Sequence, residues 1–198
     1  MTDPLAPLIR ALSHDGGASS DFDLNPDVIL PAGRTLRPAG VLVPIEMRND
    51  IPHVILTKRA SHLKHHPGQI AFPGGKQDDS DADVIAAALR EADEEIGLPR
   101  ENVEVLGTLP THETVTSFTM TPVLGRIIRP FTVKPEPGEV DEVFHVPLAH
   151  VTDPGLFSVQ SRRWRGHRRS YFTVPFGPYY IWGATARILR GLADRVSQ

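Results

Sequence analysis

Residues 90–98, Arg-Glu-Ala-Asp-Glu-Glu-Ile-Gly-Leu, end the most clearly predicted helix of this chain and carry its strongest chemical signal. On a helix, Glu91 and Glu95 lie one turn apart and Glu94 lies beside them. Acidic side chains at a helix C-terminus oppose the helix dipole, and like charges three or four residues apart repel. A sequence usually breaks such local rules at a functional site. The three glutamates are therefore predicted to be ligands of a hard divalent cation.

The residues before this stretch predict an amphipathic helix that packs on a core. Asp78 to Asp81 offer candidates for its N-cap. The apolar residues that share one face at helical spacing are Ile85, Leu89, Ala92 and Ile96. Gly97 suits the left-handed residue that follows a helix, and Pro99 prevents the helix from continuing.

A pair of glycines lies between a short predicted strand and this helix. Gly74 and Gly75 allow the backbone to approach a ligand closely, so a glycine carbonyl is a further candidate metal ligand. Arg90 is a candidate for orienting a carboxylate by pairing with it, although a purely structural salt bridge remains an open alternative.

The combination of carboxylates and glycines predicts metal-assisted hydrolysis of a phosphate anhydride. Mg²⁺ prefers carboxylate, carbonyl and water oxygens. Such an ion neutralises the anionic diphosphate and holds the attacking and leaving oxygens together. Each motif alone also fits a solvated helix face or an ordinary turn, and it is their conjunction that favours the functional interpretation.

The remaining pattern alternates β-rich segments with helices and predicts one α/β domain. Residues 1–36 are expected to form an N-terminal helix and arm, and residues 37–198 the main domain. Further helices are expected at 5–12, 147–151 and 184–196. Strands are expected at 40–45, 53–57, 69–72, 103–109, 120–128, 171–174 and 179–182, with another β-rich run between 131 and 146.

Composition limits the partners and the location. The net charge of −3 at pH 7 gives no reason to expect binding to nucleic acid or to a membrane. The absence of cysteine removes disulfides and thiolate metal sites, and it agrees with a cytoplasmic location, which we expect. No signal peptide or membrane span is expected from the apolar pattern. The oligomeric state is left open, with a homodimer as one option.

Residues 75–98 resemble the Nudix box, Gly-x5-Glu-x7-Arg-Glu-U-x-Glu-Glu-x-Gly-U, where U is a bulky apolar residue. The positions that fit its C-terminal half are Arg90, Glu91, Glu94, Glu95, Gly97 and Leu98. Counting back from Arg90, the glycine slot falls on Lys76 and the isolated glutamate slot on Ala82. One inserted residue between Gly75 and the helix restores the register and puts Asp81 in the acidic slot, so the role of Asp81 is left open.

A second motif precedes the box. Leu56-Thr-Lys-Arg-Ala60, Lys64, Gly68 and Phe72-Pro-Gly-Gly75 resemble the upstream signature of the coenzyme A pyrophosphatase branch of the Nudix family. That branch typically has arginine at the position of Lys64. Lys64 keeps the positive charge but cannot form the two parallel hydrogen bonds of a guanidinium group. The resemblance implies a Nudix α/β/α sandwich with a mixed central sheet.

The same resemblance implies an activity. It implies hydrolysis of a small-molecule diphosphate, coenzyme A, to 4′-phosphopantetheine and adenosine 3′,5′-bisphosphate, with Mg²⁺ or Mn²⁺ as cofactor. By position, Glu91 and Glu95 are the metal ligands and Glu94 supports them. Arg59 and Lys64 are substrate-binding candidates, together with the two glycines before the box.

The general base varies among Nudix enzymes and lies either on the box helix or on a later loop. Glu94 and Arg90 are therefore candidate catalytic residues on the helix, and Glu139 and Glu142 are candidates on a later loop. An exposed acidic turn is the open alternative for the last two. Other open readings of the whole chain are a Nudix hydrolase of a nucleoside triphosphate or ADP-ribose, and a non-catalytic coenzyme-binding module.

Residues 162–169, Arg-Arg-Trp-Arg-Gly-His-Arg-Arg, form the strongest basic run. One interpretation is an anion clamp, for example for the 3′-phosphate of the substrate. The other is a solvated hairpin tip, which the sequence favours. For Trp182, packing in the core is expected over stacking on an adenine.

Overall fold

The fold was analysed in a computed structural model that describes residues 3–14, 16–30, 32–164 and 166–198. The α-helices within these residues are α1 (Ala6–Ser13), α2 (Val84–Ile96), α3 (Leu148–Val151) and α4 (Gly183–Val196). The strands are β1 (Ser19–Ser20), β2 (Arg37–Arg48), β3 (Ile51–Arg59), β4 (Ile70–Ala71), β5 (Gly74–Lys76), β6 (Val103–Thr108), β7 (His112–Glu113), β8 (Phe118–Ile127), β9 (Val140–Pro147), β10 (Ser158–Trp164) and β11 (His167–Thr173).

Most of the strands in the described ranges form one mixed sheet. Its order is β1-β7-β8-β2-β3-β4, while β5 pairs with β2, β6 with β8 and β9 with β3. The β2–β8 and β1–β7 pairs are parallel, and the other pairs of this sheet are antiparallel. β10 and β11 form a separate antiparallel hairpin.

Helices cover both faces of the sheet. On one face, Leu89, Ala92 and Ile96 of α2 pack against Leu42 and Ile55 of the sheet. Residues of α1, α3 and α4 form the larger core on the opposite face. This arrangement buries one apolar stripe of each helix and both faces of the central strands. The predicted α/β/α sandwich with a mixed central sheet is thereby confirmed.

The segment before β2 packs into the same core as the rest of the chain. Leu5, Leu8 and Ala11 of α1 are buried together with Leu189 and Leu192 of α4. Among the described residues, no helix is both long enough and apolar enough to span a membrane.

The ends of α2 agree only in part with the prediction. Gly97 follows the helix with φ of 69°, as expected for a left-handed terminator. The N-cap, however, is Asp83, whose side chain accepts a hydrogen bond from the backbone N–H of Ala86 at 2.8 Å. The predicted N-cap within residues 78–81 is wrong, because the carboxylate of Asp81 binds Arg90 instead.

The predicted strand at residues 179–182 is also wrong. This segment forms only isolated bridges, Phe176 with Tyr179 and Thr173 with Trp182. Pro175 and Pro178 lack the backbone N–H that a strand ladder requires, so the chain turns here instead of extending an established sheet.

Candidate active site

The C-terminal end of α2 places three glutamates at different depths, and we call them the acidic cluster (Glu91, Glu94 and Glu95). Glu95 follows the apolar stripe and is buried against the sheet, Glu91 is half-buried, and Glu94 points to solvent. The helical period that packs α2 on the sheet therefore also fixes which carboxylate faces inward.

Glu95 is the least accessible member of the cluster. It is 4% exposed, and its Oε2 accepts a hydrogen bond from the backbone N–H of Gly74 at 3.2 Å. Burial raises the pKa of Glu95 to about 8, and the neighbouring charge of Glu91 acts in the same direction. A buried carboxylate with a single hydrogen bond from Gly74 ionises readily only when a counter-charge is supplied.

Glu91 lies against the second glycine. A Cβ atom at Gly75 would lie 2.5 Å from the carboxyl carbon of Glu91, so a larger residue here would displace the Glu91 carboxylate from its position. Burial raises the pKa of Glu91, although Arg90 opposes that rise by donating a hydrogen bond to its Oε1 at 2.9 Å.

Arg90 joins the helix to the loop before it. Its Nε and Nη2 donate to the two carboxylate oxygens of Asp81 at 3.0 and 2.9 Å, and its Nη1 donates to Glu94 at 3.0 Å. The side chain of Asp81 is 5% exposed, and the hydrogen bonds from Arg90 lower its pKa to about 2. This bidentate pair holds the guanidinium where it can also contact Glu91.

The segment from residue 134 to 139 is hydrogen-bonded to the C-terminal end of α2 and to the end of β3. The backbone N–H of Glu136 donates to the carbonyl of Glu95 at 2.9 Å, and the N–H of Ala60 donates to the carbonyl of Glu139 at 2.8 Å. These contacts hold Glu139 near the acidic cluster, and its charge contributes to the raised pKa values of Glu91 and Glu95.

The two candidate glutamates after the box helix have different surroundings. Glu139 is exposed beside the acidic cluster. The predicted loop position of Glu142 is wrong, because Glu142 lies within β9, where it accepts a hydrogen bond from the phenol of Tyr179. The ring of Tyr179 stacks on Phe144, which belongs to the core on the face opposite α2. The sequence provided no signal for the Tyr179 contact, because 37 residues separate the partners.

The two basic candidates also differ in their position. Arg59 ends β3, and its charge lowers the pKa of the buried Glu95, which places it near the cluster. Lys64 is exposed in the loop after β3, and no ion pair with it is found in the described part of the chain. The structure therefore brings Arg59, but not Lys64, to the carboxylates.

The donor set suits a hard divalent cation. Two inward carboxylates with raised pKa values lie beside glycine backbone, and oxygen donors of this kind match Mg²⁺ or Mn²⁺. In the ranges that the structure describes, no three acidic or histidine side chains already surround one point. Glu91, moreover, is held by Arg90 in this arrangement.

Comparison with known proteins identifies the family. The model of the NUDIX domain matches residues 36–167 of the chain. The protein belongs to the Nudix family. It is 44% identical over 160 residues to proteins named uncharacterized Nudix hydrolase NudL from Enterobacter sp. (strain 638) and Escherichia coli (strain SMS-3-5 / SECEC). Each match covers 81% of this chain and 83% of the relative.

A solved structure agrees with the Nudix fold. A MutT/nudix family protein from Enterococcus faecalis superimposes with a TM-score of 0.52 and 16% sequence identity. The match covers 87% of this chain and 66% of that protein. As a Nudix hydrolase, the protein is an enzyme that acts on the pyrophosphate bond of a nucleoside diphosphate derivative. Enzymes of this family generally use divalent ions such as Mg²⁺ or Mn²⁺.

The structure clarifies the irregular half of the Nudix box. With the extra residue placed between Asp81 and the helix, the acidic slot falls on Asp81, and Asp81 is the residue that binds Arg90 in the folded chain. The shorter aspartate side chain still reaches the guanidinium through both oxygens. The extra residue therefore lies in the loop before α2, and Arg90 still pairs with an acidic residue.

Proposed function

We propose that the protein is a coenzyme A diphosphatase, which hydrolyses coenzyme A to 4′-phosphopantetheine and adenosine 3′,5′-bisphosphate. The observation that supports this most strongly is the position of the upstream motif, residues 56–75. Arg59 and Gly74, near its two ends, lie beside the acidic cluster, where substrate phosphates would have to lie. If the motif lay far from the acidic cluster, its resemblance to this branch would not support an activity at this site.

The upstream motif forms a closed loop beside the cluster. The N–H of Arg59 donates to the carbonyl of Gln69 at 3.0 Å, and the N–H of Gly68 donates to the carbonyl of Arg59 at 3.1 Å. The chain then passes through β4 into β5, where Gly74 donates to Glu95. One end of the motif thus provides a cation near the carboxylates, and the other end provides backbone in contact with them.

We assign the metal site to Glu91 and Glu95, with support from Glu94 and a glycine carbonyl of residues 74–75. A bound Mg²⁺ or Mn²⁺ would supply charge neutralisation at the diphosphate and a lowered pKa for bound water. Arg90 is a positioning residue, because it holds Glu91 and Glu94 while Asp81 holds it in turn. Arg59 and Lys64 are assigned to the substrate phosphates, Arg59 at the cluster and Lys64 from the exposed loop.

We assign the general base to Glu139. It takes a proton from the attacking water, the water oxygen bonds to one phosphorus, and the anhydride P–O bond breaks so that the other phosphate leaves. Glu139 lies beside the cluster and is exposed to water. Glu142 is less suited to this role because its carboxylate accepts the hydrogen bond of Tyr179. Glu94 is less suited because it binds Arg90 and is 61% exposed on the outer side of the helix.

A panel of diphosphates tests the assignment. The full chain is incubated with Mg²⁺ or Mn²⁺ and coenzyme A, ADP-ribose or a nucleoside triphosphate, and the products are identified by mass. We expect the highest catalytic efficiency with coenzyme A and the two products named above. Higher efficiency with another diphosphate would refute the substrate assignment. Binding of coenzyme A without metal-dependent turnover of any compound would support a non-catalytic module instead.

A further inference from the structure

The β10–β11 hairpin, which we call the basic hairpin, places arginines directly opposite each other. Its register pairs Arg162 with Arg169 and Arg163 with Arg168. Like charges at directly opposed positions of a sheet are destabilising. Residue 165, which also belongs to the basic run, lies outside the described residues. An anion bound to this surface would reduce the repulsion within the two opposed arginine pairs.

The two faces of the basic hairpin differ. On one face, the guanidinium carbon of Arg162 lies 4.2 Å from the centroid of the Trp182 ring, and Tyr171 meets the same indole edge-on with centroids 5.0 Å apart. Arg163 and Arg168 lie on the other face, where Arg168 donates to Ser161 at 2.8 Å. Trp182 is thus half-buried beneath the hairpin, and the expectation that it packs in the main core is not met.

Three arginines of this surface, Arg162, Arg163 and Arg168, lack acidic partners in the part of the chain that the structure describes. Within the described ranges, no carboxylate forms an ion pair with Arg162, Arg163 or Arg168, and all three are exposed. Arg162 differs from the other two because the indole holds its guanidinium in place. A cation held on an aromatic face has already lost side-chain freedom, so binding an anion there costs less entropy.

Trp182 lies close in the chain to a residue that neighbours the loop after β3. It precedes Gly183, where a Cβ atom would lie 3.5 Å from Nε2 of Gln69. The carbonyl of Gln69 accepts the N–H of Arg59, and the charge of Arg59 acts on Glu95. The aromatic side of the basic hairpin therefore adjoins the loop that brings the substrate-binding candidates to the carboxylates.

We propose that Arg162, held by Trp182, binds a phosphomonoester on the nucleotide half of the substrate, outside the diphosphate that is cleaved. This inference rests on the proposed function, in which the nucleotide product carries a 3′-phosphate. The indole and the ring of Tyr171 provide apolar surface beside that phosphate for the nucleoside. The hairpin thereby makes the enzyme prefer nucleotides with this additional phosphate.

Calorimetric binding of two nucleotides tests this without requiring turnover. The full-length protein is titrated with adenosine 3′,5′-bisphosphate and with adenosine 5′-monophosphate at one fixed salt concentration. We expect the bisphosphate to bind about tenfold more tightly, as a charge-assisted hydrogen bond to one phosphate would give. Arg162→Ala should remove this preference, and Arg162→Lys should keep only part of it. Arg163→Ala removes the same charge from the opposite face and should keep the preference.

The outcomes separate this inference from the proposed function. Equal affinity of the unmodified protein for both nucleotides would overturn the inference, even if coenzyme A is hydrolysed. Equal weakening by Arg162→Ala and Arg163→Ala would also overturn it, since a diffuse basic patch would then explain the binding. In turnover, Arg162→Ala should raise KM for coenzyme A by a larger factor than KM for dephospho-coenzyme A. Failure to hydrolyse coenzyme A at all would refute the proposed function. The difference in affinity between the two nucleotides would then still test the role of Arg162.

Discussion

The acidic cluster and the basic hairpin both crowd like charges, but they differ in burial. Glu95 is 4% exposed and its pKa is raised to about 8 because burial disfavours its charge. Arg162 and Arg163 are exposed, so water and salt screen their repulsion. The acidic cluster therefore needs a counter-ion to be fully ionised. The arginines of the basic hairpin are charged without one, and they are exposed to an anionic ligand.

The largest expected effect comes from removing the buried charge. Glu95→Gln should reduce the rate of hydrolysis by about 10²–10³-fold, as loss of a group that stabilises transition-state charge does. The melting temperature without metal should not fall, because a neutral amide is cheaper to bury than a carboxylate. Steady-state kinetics and thermal unfolding measure both effects. Asp93→Asn removes an exposed charge from the same helical turn and is the matched control. Near-normal activity of Glu95→Gln would remove Glu95 from the metal site.

A second pair of substitutions distinguishes the role of Glu139 from that of Glu142. Glu139→Gln should lower kcat by about 10²-fold, within the range for loss of a general base. Glu142→Gln should change kcat far less, because its contact is with Tyr179. The reverse order of the two effects would transfer the role of the base to Glu142.

Substitution of Asp81 tests whether the acidic cluster depends on the ion pair between Asp81 and Arg90. Asp81→Asn should reduce activity by about tenfold, as loss of a residue that orients a metal ligand does, because Arg90 loses its bidentate partner. Asp79→Asn removes a nearby exposed charge and should have little effect. Activity measured over a series of Mn²⁺ concentrations distinguishes weaker metal binding from slower chemistry. Equal activity of both variants would show that the Asp81 pair is dispensable.

The smallest expected effect concerns the stability of the basic hairpin. Arg163→Glu creates an opposite-charge pair with Arg168 and should stabilise the fold by about 0.2–1 kcal/mol. Urea unfolding at low and high salt measures this, with Arg163→Gln as the neutral control. The gain should shrink at high salt because the residues are exposed. A gain that persists at high salt would contradict the view that solvent screens this surface.

The features that could be predicted from the sequence depend on local patterns. The apolar period of α2 predicts the buried stripe, and Gly97 predicts its end, because both act within a few residues. The acidic cluster is predictable for the same reason. The pairing of Asp81 with Arg90 requires allowance for one inserted residue, which a fixed spacing does not provide.

Other features depend on contacts between distant segments. The difference between Glu139 and Glu142 arises from the packing of Ala60 and Tyr179, which lie far from them in the chain. The hairpin tip at residues 162–169 is predicted, but the extent of β10 is not, because its arginines hide the alternation that indicates a half-buried strand. The short strands β1 and β7 were missed because two residues carry no period.

The central claim is that a divalent cation supplies the charge that the buried Glu95 lacks. Thermal unfolding over a Mn²⁺ titration tests it directly in the unmodified protein and in Glu95→Gln. Binding to the folded state alone should stabilise the unmodified protein by about 2.7 kcal/mol at a metal concentration 100 times Kd. We expect this rise in melting temperature in the unmodified protein and its near-complete loss in Glu95→Gln. An equal rise in both proteins, or no rise in either, would contradict the claim.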